Sequence, residues 1–91
     1  MSYELAFRDE ALREWKKLDA NTREQFSKKL TERLSNPKVP AAKLRRSPDR
    51  YKIKLRGVGY RLVYQVRDAE LLVLVIAIGR RDELYDVSDR R

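Results

Sequence analysis

A strand-like alternation from Arg50 to Arg61, RYKIKLRGVGYR, limits the fold of this chain more than any other feature. Apolar and basic side chains alternate on both sides of a glycine turn at residues 57–59. Because successive side chains of a strand point to opposite faces, the segment predicts a β-hairpin with one apolar face and one basic face. The basic residues that we assign to one exposed surface are Lys52, Lys54, Arg56 and Arg61.

The pairing of the two hairpin strands can also be predicted. We expect Arg56 to lie opposite Arg61 and Lys54 to lie opposite Val63. A slip of one residue would set Leu55 against Arg61 and mix the two faces, which a half-buried sheet does not tolerate.

Positive charge dominates the composition and is concentrated near the hairpin. The chain has 91 residues, enough for one domain spanning 1–91, and 22 basic against 14 acidic side chains give a net charge of +8. Residues 43–61 carry eight of the cations and a single acid, Asp49. An anionic partner is expected from this charge, and nucleic acid is the first candidate.

The missing residue types exclude several kinds of chemistry. The chain has no cysteine and no histidine, which excludes disulfides, a thiolate nucleophile, sulfur-ligated zinc and the usual general base. The opening MSYELAFRDE has no long apolar run, and the most apolar stretch, Leu71–Ile78, is far shorter than the ~20 residues that span a bilayer. We therefore predict a cytoplasmic protein with no membrane partner.

The rest of the chain predicts two helices and two further strands. Alternation indicates a short first strand at Tyr3–Phe7, and a helix starts at Asp9. A capping box formed by Asn21 and Glu24 should open a second amphipathic helix, which ends near Ser35.

The run LLVLVIAI at residues 71–78 is typical of a central strand with both faces shielded. The order of elements then predicts an α+β domain: a small, mostly antiparallel four-stranded sheet with two N-terminal helices packed on one face, β-α-α-β-β-β plus a short C-terminal tail. The basic face of the hairpin looks away from the helices. The charged tail from Arg80 is expected to be either a short helix or partly disordered.

Four segments of the chain resemble the RelE branch of the RelE/ParE toxin superfamily, almost from end to end. They are ALREWKKLD, TREQFSKKLTERL, KLRRSPDRYKIKLRGVGYRLVYQV and the final apolar strand followed by GRR. The resemblance implies the toxin of a type II toxin-antitoxin system, a ribosome-dependent endoribonuclease that cuts messenger RNA in the A site. It also implies inhibition by a cognate RelB-like antitoxin.

The same resemblance implies which side chains form the site. Those that match the catalytic set are Lys52, Lys54, Arg61, Arg81 and Tyr85. In some relatives the tyrosine lies slightly farther along, at the position that Val87 fills here. Arg45 matches a basic position that contacts RNA, and the cations that we assign to RNA binding are Lys43, Arg45, Arg46, Arg50 and Arg56.

RNA supplies its own nucleophile, the 2′-hydroxyl, so the enzyme has only to align the phosphate, move protons and stabilise the phosphorane charge. Neither a metal nor a cofactor is required. Lys54 or Tyr85 would be the general base, since nearby cations disfavour a charged lysine and stabilise a phenolate. Arg61 and Lys52 would clamp the phosphate, and Arg81 would assist the leaving oxygen.

Two other classes of function remain open at this stage. One is a non-catalytic ParE-like toxin, and the other is a basic nucleic-acid-binding module whose lysines and arginines form an ordinary solvated face. Asp82 and Asp86, four residues apart, resemble a metal pair, but two carboxylates on a helix surface are commoner, so we predict no metal site. The catalytic hypothesis requires Lys54, Arg61 and Arg81 to lie on the same side of the molecule.

Overall fold

The structure is a computed structural model that describes residues 2–80 together with 84 and 91. Within these residues the predicted order of strands and helices is confirmed. The elements are β1 Glu4–Phe7, α1 Asp9–Lys17, α2 Ala20–Ser35, β2 Arg50–Leu55, β3 Tyr60–Arg67 and β4 Leu72–Arg80. Neither of these two helices is long and apolar enough to cross a bilayer.

The four strands form one sheet in the order β1-β4-β3-β2. β1 runs parallel to β4, and the β4–β3 and β3–β2 pairs are antiparallel. Residues 72–78 of the apolar run therefore lie in a central strand, as predicted, and Val73, Val75, Ile76 and Ala77 are fully buried. A strand with neighbours on both edges and cover on both faces needs apolar residues at almost every position, which explains why this one does not alternate.

The register of the hairpin differs from the predicted one by two residues. Lys54, not Arg56, lies opposite Arg61. The turn takes four residues rather than three, and it closes where Gly59 adopts a φ of 69° and donates its N–H to the Leu55 carbonyl at 3.0 Å. Because side-chain direction repeats every two residues, this shift keeps every strand residue on its predicted face. Arg56 alone leaves the strand for the turn.

The start of α2 also differs from the prediction. Asp19 occupies the cap position and Ala20 begins the helix, so the capping box of Asn21 and Glu24 is wrong. The Thr22 hydroxyl donates a hydrogen bond to the Asp19 carboxylate. That bond is the main cause that holds the pKa of Asp19 below its usual value. The predicted end of the helix at Ser35 is confirmed.

The main core lies between the two helices and one face of the sheet. Its largest fully buried side chains include Phe26, Leu30, Ile53, Leu62 and Tyr64. Tyr64 also joins α2 to the sheet, because Arg33 donates to its hydroxyl at 2.8 Å and the hydroxyl donates to the Pro37 carbonyl at 2.6 Å. Burial raises the pKa of Tyr64 above its ordinary value, which further favours the neutral phenol that donates this hydrogen bond.

A second, smaller apolar cluster covers part of the opposite face. Its members are Val63, Ile76, Ala77 and Leu84, with Leu44 and Leu74 packed against them. The register of β3 and β4 shifts between Val63 and Tyr64, which leaves Ile76 as the extra residue of a β-bulge. The bulge lets the consecutive residues Ile76 and Ala77 join the same cluster. Among the described residues, the cations that line an open cleft on this face belong to β2, β3 and the loop before β2.

Candidate nucleic-acid cleft

An open cleft of about 1030 Å³ lies on the face of the hairpin that looks away from the helices. Its floor is formed by β2 and β3, and its wall by the loop that leads from α2 into β2. We call it the basic cleft. Seven of the ten predicted site residues line it: Lys43, Arg45, Arg46, Arg50, Lys52, Lys54 and Arg61.

Cross-strand pairing sets the order of side chains along the floor. The pairs are Lys54 with Arg61, Lys52 with Val63 and Arg50 with Gln65. Directly opposite residues of an antiparallel pair have Cβ atoms about 5 Å apart. The row of positive charge therefore comes mainly from β2, with Arg50, Lys52 and Lys54, and β3 adds Arg61 opposite Lys54 at one end of the row.

Arg61 is only 6% exposed, so the prediction that it belongs to an exposed surface is wrong. The reason is its strand. β3 has neighbours on both edges, and Arg61 lies opposite Lys54 on one side and Gly79 on the other. Leu84 covers the same end of the face, since a Cβ placed on Gly79 would lie 3.5 Å from its Cδ1. Arg61 therefore lines the basic cleft from a buried position, with little of its side chain in contact with solvent.

The wall of the cleft carries two exposed arginines on a tight turn. Ser47 donates its backbone N–H to the Leu44 carbonyl at 3.3 Å, which places Arg45 and Arg46 at the two central positions. Leu44 packs against the second apolar cluster, and its N–H donates to the Arg50 carbonyl at 2.9 Å. The loop is thus attached to the outer edge of β2, and its arginines line the basic cleft.

The polar residues of the cleft that were not singled out from the sequence include Asp49 and Gln65, which are hydrogen-bonded to each other. Asp49 accepts a hydrogen bond from the Ser47 hydroxyl at 3.1 Å and another from the Gln65 side-chain amide at 2.9 Å. Both residues could have been found, because Asp49 is the single acid of residues 43–61 and Gln65 falls on the basic face of the alternation.

Three of the predicted site residues are not seen in the basic cleft. Arg56 is exposed in the hairpin turn and lines a second groove, between α2 and the edge of β2, together with Lys29 and Arg33. Lys52 and Lys54 line this groove as well as the basic cleft. Arg81 and Tyr85 lie outside the described residues. The same is true of Val87 and of the acidic pair Asp82 and Asp86.

Comparison with known proteins identifies the family. A family model described as "ParE toxin of type II toxin-antitoxin system, parDE" matches residues 5–85. The mRNA interferase toxin RelE of Escherichia coli strain K12 is 52% identical over an alignment of 93 residues, which covers 100% of this chain and 98% of that protein. This chain belongs to the RelE branch of the RelE/ParE toxin superfamily.

Solved RelE structures share the fold described above. A mutant of the E. coli RelE toxin in the free state superposes with a TM-score of 0.92 at 50% identity, covering 100% of this chain and 98% of that one. The intact E. coli RelBE toxin-antitoxin complex contains a match with a TM-score of 0.85 at 54% identity, covering 87% of this chain and 96% of that one. The RelE resemblance drawn from the sequence motifs is confirmed.

Proposed function

We propose that this RelE-family chain is the toxin of a type II toxin-antitoxin system and acts as a ribosome-dependent mRNA endoribonuclease. It cuts the message in the A site and thereby stops translation. One observation carries the proposal: Lys52, Lys54 and Arg61 line a single cleft, with the buried Arg61 directly opposite Lys54. The RelE toxin of E. coli, at 52% identity, is named an mRNA interferase.

The message would enter the basic cleft by its backbone. Three cations of the cleft would attract this anionic strand: Arg45 and Arg46 on the wall and Arg50 on the floor. Such contacts depend on charge rather than on sequence, and their strength falls with rising salt. They bring the scissile phosphate to the end of the cleft where Lys54 and Arg61 lie.

Cleavage would follow from the groups at that end. The base, Lys54 or Tyr85, takes the proton from the 2′-hydroxyl, the O2′–P bond forms, and the P–O5′ bond breaks. Arg61 and Lys52 hold the non-bridging oxygens as their charge grows, which is where fixed donors accelerate the reaction most. Arg81 stabilises the negative charge on the departing O5′, which takes its proton from water. The products are a 2′,3′-cyclic phosphate and a 5′-hydroxyl.

The need for a ribosome has a physical reason in this scheme. In-line attack requires the 2′-oxygen, the phosphorus and the leaving oxygen to be aligned, and a flexible single strand seldom adopts that geometry. An open cleft lined by long lysines and arginines binds a backbone without fixing its torsions. We infer that the ribosomal decoding site aligns the message for in-line attack, and that the cations of the toxin stabilise the negative charge of the transition state.

A message with one 2′-deoxynucleotide tests the reaction type. On programmed ribosomes, the all-ribose message should be cut at one position in the A-site codon. Removing the 2′-hydroxyl that precedes this cut should leave the message intact, because the internal nucleophile is gone. A deoxynucleotide one position downstream is the matched control and should still permit cleavage. Equal cleavage of all three messages, measured on sequencing gels, would exclude 2′-hydroxyl attack.

The proposed partner in the cytoplasm is a RelB-like antitoxin. An acidic amphipathic segment suits a chain with a net charge of +8 and an open cationic cleft. Expression of this chain alone should arrest growth, and co-expression of the antitoxin encoded beside it should restore growth. Expression of an Arg61→Ala variant alone is the control and should be tolerated. Unimpaired growth at high levels of soluble wild-type protein would contradict the toxin assignment.

A further inference from the structure

Asp49 is an unexpected residue in a site built for a polyanion. It lines the basic cleft, and its negative charge repels the phosphates that the neighbouring cations attract. Both of its carboxylate oxygens accept hydrogen bonds from neutral donors on different parts of the fold. Oδ1 accepts from the Ser47 hydroxyl at 3.1 Å, and Oδ2 accepts from the Gln65 Nε2 amide at 2.9 Å.

The backbone of Asp49 is held as well. Its carbonyl accepts the Val66 N–H at 2.8 Å, and its own N–H donates to the Ser47 hydroxyl oxygen at 3.4 Å. On the far side, Arg67 donates its Nε to the Gln65 Oε1 at 3.3 Å. That bond orients the Gln65 amide so that its NH₂ group points at Asp49. A continuous chain of hydrogen bonds therefore runs from β3 to the loop.

These contacts hold the C-terminal side of the turn that carries the two exposed arginines. Leu44 holds the N-terminal side of the turn, because it packs in the second apolar cluster and donates its N–H to the Arg50 carbonyl. Between the two anchors the turn has a defined backbone path, and Arg45 and Arg46 occupy its centre. Without the Asp49 anchor, ordering of this loop would have to be achieved during RNA binding, at a cost in conformational entropy.

We propose that Asp49 and Gln65 are positioning residues, which fix the turn so that Arg45 and Arg46 face the RNA backbone in the basic cleft. The inference rests on the function proposed above. Positioning and simple electrostatics predict opposite changes in RNA affinity when Asp49 is removed. Removing Asp49 makes the cleft more positive and, by charge alone, should strengthen RNA binding. Loss of positioning should weaken it.

The experiment compares four variants with the wild type in single-turnover cleavage on programmed ribosomes with toxin in excess. Asp49→Ala should raise the half-saturating toxin concentration by about tenfold and leave the maximal rate within about twofold, because the loss is in binding and not in the chemical step. Gln65→Met, which keeps the Asp49 charge, should do the same. The double variant should be no worse than either single one, since the two residues act as a unit. Asp49→Asn, which retains one acceptor oxygen, should recover part of the loss.

The matched control is Glu32→Ala on the exposed surface of α2, which makes the same change in net charge away from the cleft. It should change the half-saturating concentration by less than about twofold. Far-UV circular dichroism and thermal unfolding report whether each variant is folded. If Asp49→Ala does not fold, Gln65→Met and Asp49→Asn carry the test.

Affinity for a short single-stranded oligouridylate, measured by fluorescence anisotropy at low salt, separates this inference from the proposed function. Weaker binding by Asp49→Ala than by Glu32→Ala supports positioning, even if the wild type cuts no message. Equal or tighter binding by Asp49→Ala, or a fall in maximal rate alone, would overturn the inference while leaving a cleaving wild type as the proposed enzyme.

Discussion

Replacing Arg61 with alanine should lower the maximal rate of message cleavage by about 10²–10³-fold, while the toxin still occupies the ribosome. Arg61 is buried in the floor of the basic cleft, directly opposite Lys54. A fixed guanidinium contributes most when charge accumulates on the phosphorane, so its loss affects the transition state more than the bound state. The rate is measured in single turnover, and occupancy is measured by co-sedimentation with ribosomes.

Two further variants make the Arg61 result interpretable. Arg61→Lys keeps the charge but loses the two-point contact with phosphate, and should give an intermediate rate. Arg13→Ala removes the same charge from the exposed surface of α1 and should cleave at the wild-type rate. Thermal unfolding shows whether the buried position tolerates alanine; if it does not, Arg61→Lys is the test. Cleavage by folded Arg61→Lys and Arg61→Ala at the wild-type rate would remove Arg61 from the mechanism.

Replacing Phe26 with alanine should lower the free energy of unfolding by about 3–5 kcal/mol, the largest stability effect that we expect from a single side chain. Phe26 is fully buried between the helices and the sheet, and its ring centroid lies 6.5 Å from that of Trp15. Truncation removes apolar surface from the core and leaves a cavity that the surrounding strands cannot close. A domain of this size has only about 5–15 kcal/mol of total stability.

Urea unfolding measures this loss, in an Arg61→Ala background that avoids toxicity. Leu12→Ala is the control, because Leu12 is 37% exposed on α1, and it should cost less than about 1 kcal/mol. Phe26→Leu, which leaves a smaller cavity, should fall between the two. An unchanged urea midpoint for Phe26→Ala would show that the helices are not packed on the sheet through this residue.

The faces of the hairpin were predictable from the sequence, whereas its register was not. Alternation fixes which side chains share a face, and a shift of two residues leaves that assignment unchanged. The register depends on the turn, which here uses four residues and closes at Gly59. Arg56 was therefore placed on the wrong element, although Lys52 and Lys54 were placed on the correct face.

The burial of Arg61 could not be read from a local pattern. It follows from the position of β3 between two other strands and from the approach of Leu84 to Gly79, both of which are tertiary features. The role that we infer for Asp49 was missed for a similar reason. A lone acid in a basic stretch gives a signal, but its hydrogen bond to Gln65 appears only when the hairpin is folded.

A plain nucleic-acid-binding module remains the main competitor for the proposed enzyme, and the Arg61 variants separate the two. A binding module should lose affinity gradually as cations are removed, and any cleavage should fall in parallel. Catalysis predicts a loss of rate at retained occupancy. If each loss of cleavage is matched by an equal loss of ribosome binding, the catalytic role fails for those residues.

The most direct test of an RNA-cleaving active site in the basic cleft is to map the ends of a defined message on programmed ribosomes after adding the purified protein. The proposed function predicts one discrete cut within the A-site codon, with a 5′-hydroxyl on the downstream fragment, and no cut without ribosomes. An intact message in complexes that demonstrably contain the bound protein would contradict it.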